Sequence, residues 1–307
     1  MDTTNRHMAQ TTETGPANNN AAEQNKEEAH ETVIRAQDFA HLHLHSAYSL
    51  LDGALRIEDI PRLARKMGHK HVAITDHGNM FGAVAFYKAC MAEGIHPIIG
   101  CEVYVAPGSR FDKKRIDGEA YHHLILLCEN EVGYRNLSKL VSLGYTEGFY
   151  TRPRIDMELL TQYHTGLIAL SACLAGVVPT CVRKGDFDGA RAHAKQMRDV
   201  MGAQNYYLEL QNHGMSEEED VNRFLLQLSD ELKIPMVATN DVHYATKEDA
   251  RAQRILMCIQ TNTTIQDDTA PIGFTTEEYY YKSTEEMAQL FADCPQALTN
   301  TVDIARR

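Results

Sequence analysis

The sequence has no apolar run long enough to span a membrane, and its start, MDTTNRHMAQTTETGPANNN, has neither the basic flank nor the apolar core of a secretory signal. These absences argue against a helical membrane anchor or any membrane contact and predict a cytoplasmic protein. Paired cysteines are missing as well. The seven cysteines, Cys90, Cys101, Cys128, Cys173, Cys181, Cys258 and Cys294, are scattered without a CxxC pair, which argues against a disulfide framework and a cysteine-only zinc cluster. Positive charge is scarce: 30 Lys and Arg stand against 42 Asp and Glu, a formal net charge of -12. That is the wrong sign for holding nucleic acid by phosphate neutralisation alone, so any contact with DNA has to be local or mediated by bound cations.

What is present is ample material for a core. The chain has 307 residues, 43% of them hydrophobic, enough for one barrel-sized domain or two smaller ones. Residues 1–37 are rich in Thr, Asn, Glu, Gln and Ala and are expected to form a disordered extension. From Asp38 onward short apolar runs alternate with amphipathic stretches. Seven strands are predicted: Ala40 to His45, Val72 to Thr75, Ile98 to Val105, Leu124 to Cys128, Gly166 to Leu170, Tyr206 to Leu210 and Met236 to Thr239. Helices are predicted over Ile57 to Met67, Val84 to Glu93, Asn136 to Ser142, Gly189 to Met201 and Ser216 to Leu232. This rhythm predicts an α/β fold, a seven-stranded parallel barrel of the TIM kind over residues 38–250. Residues 251–307 read as a helical extension, with helices over Lys247 to Gln260 and over Ser283 to Arg307 around Cys294-Pro295. The last of these stops in mid-helix, as if cut from something longer.

Fifteen histidines are many for this length, and their placement carries the chemistry. In His41-Leu42-His43-Leu44-His45 the two-residue period of a strand puts three imidazoles on one face, where neighbours can converge on a cation. A strand merely rich in histidine is the bland alternative; ligands are favoured, with His43 and His45 deepest. The run Val72 to Ile74 ends in Thr75-Asp76-His77-Gly78, polar groups at the strand end where barrels of this kind build active sites. His77 is the expected ligand and Asp76 a helix cap. Glu102 stands inside the apolar strand Ile98 to Val105, where a carboxylate without a partner costs several kcal/mol, so a metal is expected there and an arginine partner ranks second. Asp241 and His243 follow the last predicted strand.

Other candidates are open on the residues alone. Either His122 or His123 faces inward; Asp52, before Gly53, reads as a turn residue, and Cys173 as a small buried hydrophobe. The basic run Arg110, Lys113, Lys114 and Arg115, with Arg152 and Arg154, reads as solvated loop, with guidance of a nucleic-acid strand toward the barrel mouth as the alternative.

In this order the clusters resemble the polymerase and histidinol phosphatase (PHP) family, in the branch that stands at the N-terminus of the bacterial DNA polymerase III alpha subunit. The motifs are HLHLHSAYSLLDGALRIEDI, AITDHGNMFGAVAFYKA, GIHPIIGCEVYVAP, EGFYTRPRID, GLIALSACLAG, MVATNDVHY, EEYYYKSTEEMAQLF and NTVDIARR. The resemblance implies a distorted seven-stranded barrel with a three-metal site held by His43, His45, Asp52, His77, Glu102, His123, Cys173, Asp241 and His243. Only the resemblance recommends Asp52 and Cys173 as ligands. Imidazole and carboxylate donors suit Zn²⁺, Mn²⁺ or Fe²⁺. The expected activity is metal-assisted phosphodiester hydrolysis, with His43, His45, Glu102 and Asp241 catalytic through bound metals and the 3′ end of DNA as substrate. Expected partners are the remainder of the alpha subunit, a proofreading exonuclease subunit and other replisome subunits. Three readings compete: a metal-stabilised docking module, a stand-alone phosphatase for a small phosphomonoester, and nucleotidyl transfer by the complete alpha subunit. The 307 residues end before a polymerase palm could be encoded, so no DNA synthesis is expected from them.

Overall fold

The computed structural model describes residues 39–266 and 274–307. The extension predicted over residues 1–37 lies outside the described residues. The described residues form one compact unit. In chain order its elements are α1 (Asp59–Lys66), β1 (His71–Ile74), α2 (Ala83–Glu93), β2 (His96–Val105), β3 (His122–Cys128), α3 (Glu131–Thr146), β4 (Arg154–Ile155), α4 (Met157–Tyr163) and β5 (Leu167–Leu170). There follow α5 (Val177–Arg183), α6 (Phe187–Met201), β6 (Tyr206–Leu210), α7 (Ser216–Leu232), β7 (Met236–Ala238), a 3₁₀ turn (Lys247–Asp249), α8 (Ala250–Thr261), α9 (Thr284–Leu290) and α10 (Pro295–Ala305).

The fold is mixed α/β, with the sheet order β1-β2-β3-β5-β6-β7 and the two-residue β4 beside β2. Six of the predicted strands are recovered as β1, β2, β3, β5, β6 and β7. The first, Ala40 to His45, is instead an irregular extended segment making isolated bridges, His41 to Val72 on one side and Leu44 to Val242 on the other. Its backbone is bonded to both neighbours: Ala73 N to His41 O at 2.8 Å and His45 N to Val242 O at 2.8 Å. The segment therefore lies between β1 and the chain leaving β7, joining the two ends of the curled sheet.

The all-parallel expectation is corrected at one strand. β3 runs antiparallel to both β2 and β5, while the β1-β2, β5-β6 and β6-β7 ladders are parallel. A parallel return needs a crossover, commonly helical, and residues 106–121 between β2 and β3 supply no helix. That stretch is pinned from beneath by Arg154, which is fully buried and donates to the carbonyls of Ala120 (3.0 Å), Arg110 (3.2 Å), Asp112 (3.0 Å) and Gly148 (3.1 Å). Arg110 is likewise buried, against Asp156 at 3.1 Å and Glu147 at 2.7 Å. For these two arginines the solvated-loop expectation is wrong: a long loop that turns back on itself leaves carbonyls without strand partners, which the Arg154 guanidinium satisfies, while the Arg110 guanidinium is held by carboxylates.

Helices cover the sheet. Leu137 and Leu140 of α3, Ala190, Ala194 and Met197 of α6, and Val221, Leu225 and Leu228 of α7 share one core with Leu126, Ala169, Tyr206 and Leu208 of the sheet. α10 joins a second core: Ile304 and Ala305 pack with Ala40, Leu42 and Ala73, and Thr301 Oγ1 accepts from Ala40 N at 3.0 Å. No helix among the described residues is long and apolar enough to cross a membrane.

Candidate metal centre

Several chain segments meet at one mouth of the sheet, and the bridges explain why. The parallel bridge between Leu44 and Val242 sets His43 and His45 beside Asp241 and His243; a second, between His77 and Glu102, sets the end of β1 against β2. On the β2-β3 ladder Glu102 pairs with Ile125 and Tyr104 with His123, so by the two-residue period Glu102 and His123 share a face while His122 points to the other. Because β3 is antiparallel, its first residues lie level with the C-terminal ends of β1 and β2. A histidine that opens a strand thus reaches a site otherwise built from strand ends.

Glu102, only 1% exposed, is at the centre. Its Oε1 lies 2.8 Å from His123 Nδ1 and 3.5 Å from His43 Nε2; its Oε2 lies 2.6 Å from His77 Nδ1 and 3.5 Å from His45 Nε2. Asp241 Oδ1 is 3.0 Å from His43 Nε2, 3.2 Å from His45 Nε2 and 3.5 Å from His243 Nδ1. Asp52 reaches His77 Nε2 at 3.1 Å, and Cys173 Sγ is 3.8 Å from His123 Nδ1. Seven of the nine expected residues line a cavity of about 340 Å³, and His43 and His45 are fully buried beneath it. His41 does not join them: its Nε2 donates to the Lys282 carbonyl at 2.8 Å and its ring packs on Tyr281. The segment bends between its bridges instead of holding the regular pleat that would align all three histidines.

The surrounding bonds fix which ring nitrogens face the centre. His43 Nδ1 donates to Glu209 Oε1 at 2.7 Å, and that oxygen also accepts from Thr239 Oγ1 (2.5 Å) and Gln211 Nε2 (3.0 Å). Ser49 Oγ donates to Asp76 at 2.7 Å, so it accepts from His45 Nδ1 at 2.9 Å. His243 Nδ1 donates to the Asp241 carbonyl at 2.7 Å. In the neutral rings each Nε2 is then a lone pair turned inward, and those of His43 and His45 are only 3.1 Å apart. Lone pairs that close repel unless a cation or proton lies with them.

The electrostatics say the same. Burial disfavours the charged form of His43, but Asp241, Glu209 and Glu102 overcome it and hold its pKa well above the ordinary value. His77 is likewise raised to about 10, against burial, by Glu102 and Asp52. His45, buried and close to His77 and His243, is pushed down to about 3. Burial would raise Glu102 and Asp241, yet the histidines around them hold both well below the usual carboxylate range. Protons here occupy positions that divalent cations would take.

Whether the residues fit metal is tested by their unsatisfied atoms. Glu102 Oε2, Asp241 Oδ1, His77 Nδ1 and His243 Nε2 are buried and make no well-aligned hydrogen bond. Three donor groups have ligand atoms within 4.8 Å of one another: His43, His45 and Asp241; His45, His77 and His243; and His77, Glu102 and His123. Borderline nitrogen and hard oxygen donors in such triads fit divalent metal. Backbone conformations also mark the site. Asp241 (φ 44°), Leu51 (φ 61°) before Asp52 and Ala172 (φ 66°) before Cys173 occupy the left-handed region, which costs non-glycine residues energy and aims the adjoining side chains into the cavity.

Sequence reasoning missed the supporting groups. Glu209 had a readable signal, being a carboxylate within the apolar strand Tyr206–Leu210, as Glu102 is within β2. Ser49, Gln211 and Gln253, whose Nε2 bonds Asp52 Oδ1 at 3.1 Å, had none. Asp76 accepts from Ser46 N (2.7 Å), Ser46 Oγ (2.8 Å) and Ser49 Oγ (2.7 Å); it ties down the loop that carries Asp52 instead of capping a helix.

Fold and site together define a curled α/β sheet with a histidine and carboxylate centre, compatible with metal, at its mouth. A model of the PHP domain family matches residues 41–213, and the chain belongs to that family. Among curated proteins it is 52% identical over 270 residues to the DNA polymerase III subunit alpha of Treponema pallidum, covering 88% of this chain and 23% of that protein. It is 44% identical over 276 residues to the same subunit of Thermus aquaticus, covering 87% and 22%. The chain thus spans about a quarter of the length of these relatives. Among solved structures, an amidohydrolase from Chromobacterium violaceum aligns with a TM-score of 0.42 at 16% identity, covering 66% of this chain and 87% of that one.

Proposed function

We propose that this chain is the PHP portion of a DNA polymerase III alpha subunit and that its centre holds up to three divalent metals and hydrolyses phosphodiesters, with the 3′ end of a DNA strand as substrate. The observation that carries the reading is the pair of inward-facing Nε2 atoms of His43 and His45, 3.1 Å apart beside the buried carboxylates of Glu102 and Asp241. When bound, the cations supply Lewis acidity and the positive charge that an acidic protein lacks at a phosphate. The cations would be held from the overlapping sets His43, His45 and Asp241; His45, His77 and His243; and His77, Glu102 and His123, each imidazole serving one cation, with Asp52 and Cys173 beside them. Glu102, with both oxygens among imidazoles, would be a carboxylate placed to hold metal between them. Glu209 fixes the tautomer and orientation of His43, the carboxylate-histidine pairing common behind metal ligands. The cavity of about 340 Å³ above them admits a phosphodiester end. The remainder of the alpha subunit, a proofreading exonuclease subunit and other replisome components are the partners this reading carries, and Zn²⁺ or Mn²⁺ the first metals to try.

The complete burial of His43 and His45 also favours a second reading, in which the metals cross-link the fold and the domain serves mainly for docking. Metal analysis with a nuclease assay on a 3′-labelled primer, wild type beside His43→Ala, separates the two. Hydrolysis predicts metal-dependent shortening of the primer that the variant loses by at least about a hundredfold. Metal at full occupancy with no cleavage above the variant's background would leave only the cross-linking role.

A further inference from the structure

Beside the metal cavity is a larger cleft, about 940 Å³, and the two share the wall residues His123, Leu174, Ala175 and Arg183. Its rim gathers positive charge in a chain whose net charge is -12. Arg115, Arg183, Lys184 and Arg223 line it. Two of these cations are committed, Lys184 to Glu119 at 2.8 Å and Arg223 to Asp220 at 3.0 Å. Arg115 donates only to the Gly118 carbonyl, and among the described residues the guanidinium of Arg183 has no partner. Against these two guanidinium groups, neither of them in a salt bridge among the described residues, stands one further lining carboxylate, Glu217. Arg183 ends α5, at the boundary between cleft and metal cavity. Four residues on, Phe187, 49% exposed, opens α6 with its ring propped against Phe224 at a centroid separation of 5.2 Å.

A cationic fork beside an exposed, buttressed aromatic face is the pairing that single-stranded nucleic acid uses, phosphate on the first and base on the second. We propose that this cleft holds the single-stranded DNA leading away from the 3′ end, with Arg183 on a phosphate next to the one in the metal cavity and Phe187 stacking a base. The assignment rests on the phosphodiesterase reading for its direction: the strand enters where the two cavities join.

Anisotropy of a fluorescent ten-nucleotide thymidine strand with the full 307-residue chain tests this, wild type beside Arg183→Gln and Phe187→Ala. Both side chains are exposed, so both variants should melt as the wild type does. Each is expected to weaken binding about tenfold, the scale of one stacked base or one phosphate contact. Arg183→Gln should also flatten the slope of log affinity against log salt by about 0.7, and Phe187→Ala should leave the slope unchanged. Wild-type affinity in both variants, or no binding of the strand by the wild type, would overturn the assignment. Hydrolysis of bis(p-nitrophenyl) phosphate reads the metal centre separately. Its absence alongside intact strand binding would remove the hydrolytic reading and leave the cleft.

Discussion

At the scale of single residues the centre depends on groups that would never touch a metal. Glu209 collects Nδ1–H of His43, a threonine hydroxyl and a glutamine amide on one oxygen, which leaves His43 a single way to face the cavity. Glu209→Gln keeps the volume but removes the charge. It should lower metal affinity about 10- to 100-fold, read by titrating the metal-free protein with Zn²⁺ in a calorimeter, while the fold survives. Another buried histidine makes a pH prediction away from the centre. His69, 2% exposed, lies between Tyr281 Oη and Thr284 Oγ1, and burial, only partly offset by Glu285, pushes its pKa down to about 4. The unfolded chain therefore binds this proton more readily than the folded one. Its contribution is complete above about pH 6.5 and declines as the pH falls toward 4. The fall in melting temperature between pH 7.5 and pH 5 should be smaller in His69→Gln than in wild type; equal falls would refute the role.

Among the elements, α3 shows how close approach places a helix. Asn130 caps it, its side chain accepting from Gly133 N at 3.1 Å, and a Cβ on Gly133 would stand 1.8 Å from the Gly166 carbonyl oxygen. The helix start thus lies directly on the turn that leads into β5. Loss of the cap in Asn130→Ala should cost about 1 kcal/mol, whereas Gly133→Ala must push two backbones apart and should cost more than about 3 kcal/mol. Urea melts of the two variants check both the magnitudes and their order. The predicted helix over Asn136 to Ser142 was half the real length because its first turn, with Glu131, Val132 and Gly133, has weak helical character of its own; the cap and the packing against Gly166 supply what is missing. β4 was missed for a related reason. Two residues carry no periodicity, and Arg154 is held there by four carbonyls that only the folded loop brings together.

For the whole molecule, the proposed metals would be coupled to the fold. The candidate ligands run from residue 43 to residue 243, so cations bound only by the folded chain would tie the two ends of the sheet together, through the joining segment and the exit from β7. Stripping with EDTA should lower the melting temperature by about 10 °C, with recovery on adding Zn²⁺ or Mn²⁺ in excess. An unchanged melt after verified metal loss would argue that the ring of histidines and carboxylates is self-sufficient when protonated. The sequence by itself determined six of the strands, most of the long helices, and the residues with the strongest local signals. A carboxylate inside an apolar strand, as at Glu102, or polar groups closing one, as at His77 and Asp241, declare a burial cost that must be met. Family resemblance singled out Asp52 and Cys173, which locally read as a turn and a small apolar side chain. Only the tertiary structure decided that β3 runs backwards, that His123 and not His122 therefore faces the centre, and that His41 turns away from its neighbours. It also decided that Glu209, Ser49 and Gln253 stand behind the site. Strand direction, ring orientation and second partners depend on contacts between residues far apart in the chain, and no local period records them.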